Sequence, residues 1–415
     1  MSALKVISLF TGAGGLDYGF EAADYDTAVA LEIDPRCCTT LRANRPWPVI
    51  ERDIAHAPTA ELLATAGLAP GEAAVLIGGP PCQPFSKSGF WATGDTRRLD
   101  DPRATTLEGY LRVLAEAHPR AFLLENVEGL GFRGKSEGLA LIQARLEAIN
   151  AAHGTRYRAH IATLDAADHG VPQMRRRMFV IGARDGTAFR FPRQTHVAPT
   201  KALPDDSRPR HVTAWDALGD QPRPDDPAVH MAGKWAGLLP TIPEGQNYLW
   251  HTDRGGGEPL FGWRRRYWSF LLKLAKNQPS WTIQAQPGPA TGPFHWDDRR
   301  LTMREMARLQ TFPDDVAIAG SLADAQRQLG NAVPSLLAEI LAREIATQLL
   351  GAPAGRDAPV LAVRPAKRPM PPSKDIAPVP ARYLALRGRH AAHPGTGKGH
   401  RAVARPTSRL PLAAE

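Results

Sequence analysis

Short apolar runs alternate with polar and helical stretches over the first third of the chain. Five of these runs read KVISLF, TAVALEI, WPVIERD, AAVLIGG and AFLLENV, at positions 5–10, 27–33, 47–53, 73–79 and 121–127. Short runs rich in Val, Ile and Leu and bounded by turn residues are typical of buried strands. Their alternation with helical patterns predicts an α/β fold, a doubly wound, Rossmann-like domain with a parallel sheet.

Helical signals separate these runs. Asp34 fits an N-cap and Pro35 the first helical position, so Cys37 and Cys38 are predicted to lie on a helix, where we expect them to serve packing. A later stretch has four apolar residues on one helical face: Leu139, Ile142, Leu146 and Ile149.

The pattern changes after about residue 185, where clusters of Pro, Gly, Asp and Arg replace the regular alternation. Seven of the nine tryptophans lie between Trp215 and Trp296, which indicates a second, irregular module. Thr302 and Glu305 have the spacing of a capping box, and Pro334 fits the start of a last helix. That helix carries an apolar stripe, expected to pack on the first domain: Leu337, Leu341, Ile345 and Leu349.

These patterns divide the chain into three parts. We expect a first domain of residues 1–186 completed by 319–351, a second module of 187–318, and a tail of 352–415. The tail holds 12 Lys and Arg against 3 Asp and Glu and therefore carries the whole net charge of +9, because the rest of the chain has 39 residues of each sign. Its low periodicity and high Pro, Gly and Arg content predict disorder.

The composition indicates in which cellular compartment the protein acts. The three cysteines are too few for a disulfide framework and lack the paired spacing of a zinc site, which indicates a reducing compartment and no bound metal. No long apolar window or signal peptide is evident, so we expect a soluble, cytoplasmic protein without a membrane segment.

Chemistry-bearing residues gather at the predicted carboxyl ends of the strands, where doubly wound sheets bind ligands. The loop after the first strand contains Gly12 and Gly14, and Glu32 follows Gly12 at the distance typical of an acid that binds ribose hydroxyls. Asp17 takes the place of the third glycine of a dinucleotide motif, and a carboxylate there disfavours a pyrophosphate and tolerates a cation. This favours S-adenosylmethionine over a nicotinamide dinucleotide, with Asp53 as an acceptor for the adenine amino group.

The stretch VLIGGPPCQPFS, residues 75–86, ends a predicted strand in a rigid loop that holds Cys82. A thiolate that adds reversibly to a pyrimidine ring activates the neighbouring ring carbon, which is otherwise a poor nucleophile. Glu125, one strand away, is placed to donate to ring nitrogen 3. In the segment QMRRRMF, alternation places Gln173, Arg175 and Arg177 on one face, which predicts that the two arginines hold a phosphate and a base carbonyl oxygen.

These motifs, in this order, resemble those of bacterial-type DNA (cytosine-5) methyltransferases over about residues 4 to 350. The resemblance implies cofactor contacts in SLFTGAGGLDYGF, LEID, RDI, GGPPCQPFS and GNAVP, at Phe10, Gly12, Gly14, Glu32, Asp53, Pro80 and Asn331. It implies a catalytic role for Cys82, Glu125, Arg175 and Arg177, with Arg177 on the cytosine carbonyl oxygen.

The resemblance also implies a reaction and its partners. We expect methyl transfer from S-adenosylmethionine to carbon 5 of a cytosine flipped out of double-stranded DNA, by a monomer that is functionally paired with a restriction endonuclease. Residues 187–318 would be the target-recognition domain, with GWRRRYW for phosphate contacts and stacking unless its aromatic side chains are local core. The polar stretch after Cys82 is expected to be a mobile loop over the base. The same chemistry on tRNA, and a catalytically inert DNA-binding regulator, remain alternatives.

Overall fold

The computed structural model describes residues 4–81, 104–128, 137–203, 205–263, 267–353 and 356–387. Seven strands are present in this part of the chain: β1 Leu4–Leu9, β2 Tyr25–Glu32, β3 Val49–Glu51, β4 Val75–Gly78, β5 Ala121–Asn126, β6 His160–Asp165 and β7 Arg176–Ala183. The α-helices are α1 Gly15–Ala22, α2 Pro35–Asn44, α3 Thr59–Ala66, α4 Ala104–Ala117, α5 Glu137–His153, α6 Ala214–Leu218, α7 Met303–Leu309, α8 Leu322–Asn331, α9 Ser335–Leu349 and α10 Ala381–Leu384. Short 3-10 turns occupy Ile54–His56, Ala166–His169, Pro227–Val229, Ala236–Thr241 and Tyr248–His251.

The strands form one sheet in the order β3-β2-β1-β4-β5-β7-β6. Strands β1 to β5 are parallel, as the sequence predicts, whereas β7 runs antiparallel to both β5 and β6. The chain winds outward from β1 to β2 and β3 on one side and to β4 and β5 on the other. The carboxyl ends of β1 and β4 therefore border the crevice in which such sheets bind ligands.

Helices cover both faces of the sheet and confirm the predicted helical signals. On one face α3, α4 and α5 pack through a core that includes Ile142, Leu146 and Ile149. On the other face α1 packs on α9 through the predicted apolar stripe. The approach of these two helices is close, because a Cβ atom on Gly19 would lie 2.4 Å from the Cβ of Ala338.

The second module contains little regular structure, as the sequence predicts. Its described residues form one small aromatic core around Tyr248, Phe261 and Phe270. A different core joins it to the first domain, because Trp47 and Leu274 belong to the same cluster as the helix α7. The capping boxes of α7, α8 and α6 fix the starts of these connecting helices.

The expectation of a disordered tail is wrong for residues 356–387. This segment lies along the body: Leu361 packs on a core of the first domain and Val363 on the core that joins the two domains. Tyr383 is 3% exposed in the aromatic core of the second module. The low periodicity of the segment reflects a chain that packs without regular structure. Residues 388–415 lie outside the described part of the chain.

Candidate active site

The glycine loop joins β1 to α1 at the edge of the crevice. Its backbone requires glycine at two positions, since φ is 58° at Gly12 and 87° at Gly14, which is the N-cap residue of α1. A Cβ atom on Gly12 would meet no atom closer than the Phe10 carbonyl oxygen at 4.0 Å, so the loop leaves room above it for a ligand. Phe10 itself has φ of 53° and is half-buried against the sheet core.

Glu32, the last residue of β2, holds this loop in place. Its carboxylate accepts hydrogen bonds from the backbone N–H groups of Gly12 at 2.7 Å, Ile33 at 2.9 Å and Asp34 at 2.8 Å. Burial raises the pKa of Glu32, and the three N–H groups oppose that rise. The acid proposed for the ribose hydroxyls thus also determines the shape of the loop.

The other predicted cofactor residues follow strands of the sheet or end a helix, and they differ in exposure. Asp53 is half-buried and caps the turn at Ile54–His56 by accepting from the N–H of Ala55 at 2.9 Å. Pro80 is buried near the start of the loop that follows β4, and Asn331 is the exposed last residue of α8. The segment after Asn331 reaches the loop directly, because a Cβ atom on Gly15 would lie 2.3 Å from the Val333 carbonyl oxygen.

Asp17 does not face the ligand crevice as the sequence argument assumed. Its side chain is 0% exposed, with Oδ1 3.4 Å from the hydroxyl of Thr27 and Oδ2 without a hydrogen-bond partner. Burial raises the pKa of Asp17 to about 7. An acid that is enclosed in this way does not face a bound cofactor, so Asp17 carries no argument about the cofactor.

Glu125 and Arg177 meet at the ends of β5 and β7. Oε1 of Glu125 lies 3.0 Å from Nε of Arg177, and both side chains are largely buried. Burial raises the pKa of Glu125, and the guanidinium of Arg177 opposes this rise. The antiparallel pairing of β5 with β7, which the sequence did not reveal, brings these two residues together.

Two residues that sequence reasoning missed shape the surroundings of Glu125. A Cβ atom on Gly79 would lie 2.8 Å from Oε2 of Glu125, so the carboxyl group rests where any other residue would place a side chain. Asn126 Nδ2 donates to the Pro80 carbonyl oxygen at 3.2 Å and ties the start of the cysteine loop to the strand of Glu125. Asn126 follows Glu125 directly at a strand end, and this position was the available signal.

Gln173 and Arg175 are enclosed by the protein and do not face a ligand as predicted. Arg175 is 0% exposed and donates to the carbonyl oxygens of Ile283 at 3.3 Å and Gly330 at 2.7 Å. Gln173 is equally buried and accepts from the N–H of Ile283 at 3.0 Å. The expectation that Arg175 holds a phosphate is therefore wrong, because its guanidinium faces backbone carbonyls and joins the sheet to the second module.

The structure describes two of the three cysteines, Cys37 and Cys38, and both are buried. Cys82 and the polar loop predicted after it lie outside the described residues. Cys37 is 7% exposed and Cys38 0% exposed on α2, where burial raises both thiol pKa values, to about 12 for Cys38. Neither thiol is a ready nucleophile, in agreement with the predicted packing role.

Three aromatic side chains of the second module are exposed to solvent, and the local-core alternative is wrong for them. Trp263 is 40% exposed, Tyr267 36% and Trp268 46%. The guanidinium of Arg254 lies over the ring of Trp263 at 4.2 Å, which adds positive charge to this surface. The three arginines of the same stretch, residues 264–266, lie outside the described part.

Two absences hold within the described ranges. Among those residues, no helix has both the length and the apolar character needed to cross a membrane. Nor does that part of the chain bring three or more His, Cys, Asp or Glu side chains together as a metal site.

Comparison with known proteins gives a consistent result. Residues 4–347 match the sequence model of the family described as C-5 cytosine-specific DNA methylase. The type II methyltransferase M.SacI of Streptomyces achromogenes is 42% identical over 371 residues, which cover 83% of this chain and 93% of that protein. The type II methyltransferase M1.HphI of Haemophilus parahaemolyticus is 31% identical over 356 residues, which cover 83% of this chain and 87% of that protein.

Solved structures agree in fold. The DNMT2 structure of Spodoptera frugiperda superposes with a TM-score of 0.57 at 16% identity, over 83% of this chain and 99% of that one. The Entamoeba histolytica methyltransferase EhMeth gives a TM-score of 0.56 at 15% identity, over 84% and 99% of the two chains.

Proposed function

The chain belongs to the family of C-5 cytosine-specific DNA methylases, and on that premise we propose how its own residues carry the reaction. It is a DNA cytosine-5-methyltransferase that uses S-adenosylmethionine as methyl donor. The observation that best supports the assignment of roles is the largely buried pair of Glu125 and Arg177. Glu125 lies on β5, which pairs with β4, and Cys82 belongs to the loop that follows β4 in the sequence.

The cofactor supplies an electrophilic methyl group when it is bound. The residues present fit it: the glycine loop leaves open space above Gly12, and the carboxylate of Glu32 lies at the strand end beside that space. Asn331 directly precedes the segment that contacts this loop, Asp53 follows β3 in the same sheet, and Pro80 lies in the loop after β4. We assign these residues to orienting the cofactor.

Cys82 is the proposed nucleophile. Its thiolate adds to carbon 6 of the cytosine, and the displaced electron pair moves toward ring nitrogen 3, where the Glu125 carboxyl donates a proton or hydrogen bond. The burial that raises the pKa of Glu125 favours the protonated form that this role requires. Once carbon 5 is methylated, its proton passes to a solvent base, the bond between carbon 6 and the Cys82 sulfur breaks, and the double bond between carbons 5 and 6 is restored.

Arg177 is assigned to the base. Its Nε is engaged with Glu125 and its Nη1 donates to the Arg176 carbonyl oxygen at 2.8 Å, so Nη2 is the group we assign to the cytosine carbonyl oxygen. Arg175 then acts as a positioning residue, because it ties β7 to Ile283 of the second module. Loss of Arg175 would shift the strand start from which Arg177 projects.

We further propose that the substrate cytosine is flipped out of a specific duplex sequence read by residues 187–318. Residues 1–186 and 319–351 form the catalytic domain, and the exposed aromatic residues of the module suit contact with DNA. The type II names of its relatives support functional pairing with a restriction endonuclease. We propose that the protein acts in the cytoplasm as a monomer.

Bisulfite sequencing of DNA from cells that express the protein tests this assignment. We expect full methylation of cytosine within one short duplex motif, and none with Cys82→Ser. Total tRNA from the same cells serves as the competing substrate. Methylated tRNA with unmethylated DNA would contradict the proposed substrate, and methylation by Cys82→Ser at the parent level would contradict the proposed nucleophile.

A further inference from the structure

Residues 356–387, here called the C-terminal strap, begin on the catalytic domain. The N–H of Leu361 donates to Oε2 of Glu339 at 2.8 Å, and the N–H of Val360 donates to Oε1 at 2.6 Å. Glu339 is 0% exposed on α9. A buried carboxylate requires such donors, so the start of the strap is built into the packing of this helix.

The strap then crosses to the second module. The indole N–H of Trp215 donates to the Arg368 carbonyl oxygen at 3.1 Å, and Nζ of Lys276 donates to the Pro372 carbonyl oxygen at 3.3 Å. The same Lys276 also pairs with the buried carboxylate of Glu244. The strap thus donates backbone hydrogen bonds to Glu339 of the catalytic domain and accepts hydrogen bonds from Trp215 and Lys276 of the second module.

A charged contact anchors the middle of the strap. Nζ of Lys374 lies 3.0 Å from Oδ2 of Asp298, and Nζ of the buried Lys273 lies 2.6 Å from Oδ1 of the same carboxylate. The side chain of Asp298 is only 10% exposed, so it lies between two cations with little solvent. Such a shared carboxylate fixes the strap laterally on the module.

The end of the strap is part of the module's own core. Tyr383 stacks on Trp235 with ring centroids 6.2 Å apart, and its hydroxyl donates to the Lys234 carbonyl oxygen at 2.8 Å. The N–H of Ala377 donates to the Pro240 carbonyl oxygen at 3.0 Å. The aromatic core of residues near 235–270 is therefore completed by residues that follow the catalytic domain in sequence.

We propose that the C-terminal strap is a positioning element for DNA: it completes the second module and holds it at a fixed place against the catalytic domain. The strap lies beyond the part of the chain that matches the family, which ends at residue 347. The inference rests on the proposed recognition role of residues 187–318. It implies that damage to the strap weakens productive DNA binding and leaves cofactor binding intact.

Two truncations that differ in net charge by only two test the proposal. Chain 1–387 lacks only residues 388–415, and chain 1–369 also lacks the part of the strap on the module but keeps Val360, Leu361 and Arg368. The additional loss comprises three basic residues and one acidic residue, so electrostatics differ little between the two chains. We expect 1–369 to show a KM for DNA about tenfold above that of 1–387, equivalent to about 1.4 kcal/mol. The Kd for S-adenosylmethionine should stay within about twofold, because the glycine loop and Glu339 are untouched.

Point variants keep the test decisive if 1–369 does not fold. Tyr383→Ala removes the stacked ring and should raise the KM for DNA. Tyr383→Phe keeps the ring, so its KM for DNA should stay close to that of the parent chain. Ile376→Ala is the matched control, since Ile376 lies on the strap and is 44% exposed.

Two results would overturn the proposal. One is an equal KM for DNA in chains 1–369 and 1–387 and in Tyr383→Ala. The other is a loss of cofactor affinity parallel to the loss of DNA affinity in Tyr383→Ala, which would reduce the strap to general stabilisation. Absence of methylation by the full chain, by contrast, would count against the proposed function itself.

Discussion

Gly79 lies directly beside the proposed catalytic acid, and adding one methyl group there perturbs it selectively. The Cβ atom of Gly79→Ala would lie 2.8 Å from Oε2 of Glu125, against about 3.4 Å for an ordinary contact, so the carboxyl group must retreat by about 0.6 Å. A displacement of about 1 Å at a reacting group costs about a hundredfold in rate. We therefore expect kcat to fall about 10- to 100-fold. Backbone strain plays no part, because Gly79 has no positive φ.

Single-turnover transfer of a radiolabelled methyl group to a DNA oligonucleotide measures this effect, with cofactor affinity from calorimetry as the companion measurement. Glu125→Gln is the reference for complete loss of the acid. Gly154→Ala, at the exposed turn after α5 where a Cβ atom would meet no atom within 4 Å, is the control for a glycine substitution as such. If Gly79→Ala retains kcat within about twofold while Glu125→Gln loses a hundredfold or more, Glu125 does not act from the observed position, and the reasoning is refuted.

Three further outcomes follow from buried groups. Glu32→Ala leaves three backbone donors without their acceptor, each worth about 1–3 kcal/mol, so we expect calorimetry to show cofactor affinity at least about tenfold weaker and melting to show a lower Tm. Arg175→Met removes the bonds to Ile283 and Gly330, and the midpoint of urea unfolding should fall while cofactor affinity changes little. The folded-state pKa of Asp17 is about 7, above its unfolded value, so the parent protein loses stability as pH rises from about 4 to 7, by at most about 1.4 kcal/mol per pH unit. Asp17→Asn should lack that loss. Identical pH profiles of the unfolding free energy for the parent and Asp17→Asn would contradict this prediction.

The parallel half of the fold was predictable because it depends on local patterns. Each strand from β1 to β5 is a short apolar run, and the start of α2 at Asp34 and Pro35 follows from capping chemistry alone. The antiparallel insertion of β7 between β5 and β6 is a long-range pairing that no local pattern specifies. That pairing is what brings Arg177 to Glu125.

The sequence identified site residues whose type is unusual for their position. It led to wrong roles for residues whose function depends on whether their side chains are buried. Glu125 stood out as an acid at the end of an apolar strand. Arg175 and Asp17 were assigned to ligands because alternation and spacing place them near the site, but a sequence does not show which side chains are enclosed. The strap was misjudged for a related reason, since its contacts are made by backbone carbonyls and isolated side chains such as Tyr383.

The most direct test of the account uses duplex DNA in which 5-fluorocytosine replaces the target base. Addition of Cys82 and methyl transfer should both proceed, but fluorine cannot leave as a cation, so the adduct cannot eliminate. We predict a protein–DNA complex that depends on S-adenosylmethionine, survives denaturation, maps by peptide mass spectrometry to Cys82 and is absent in Cys82→Ser. Normal release of methylated fluorinated DNA, or a crosslink at Cys37 or Cys38, would contradict the account.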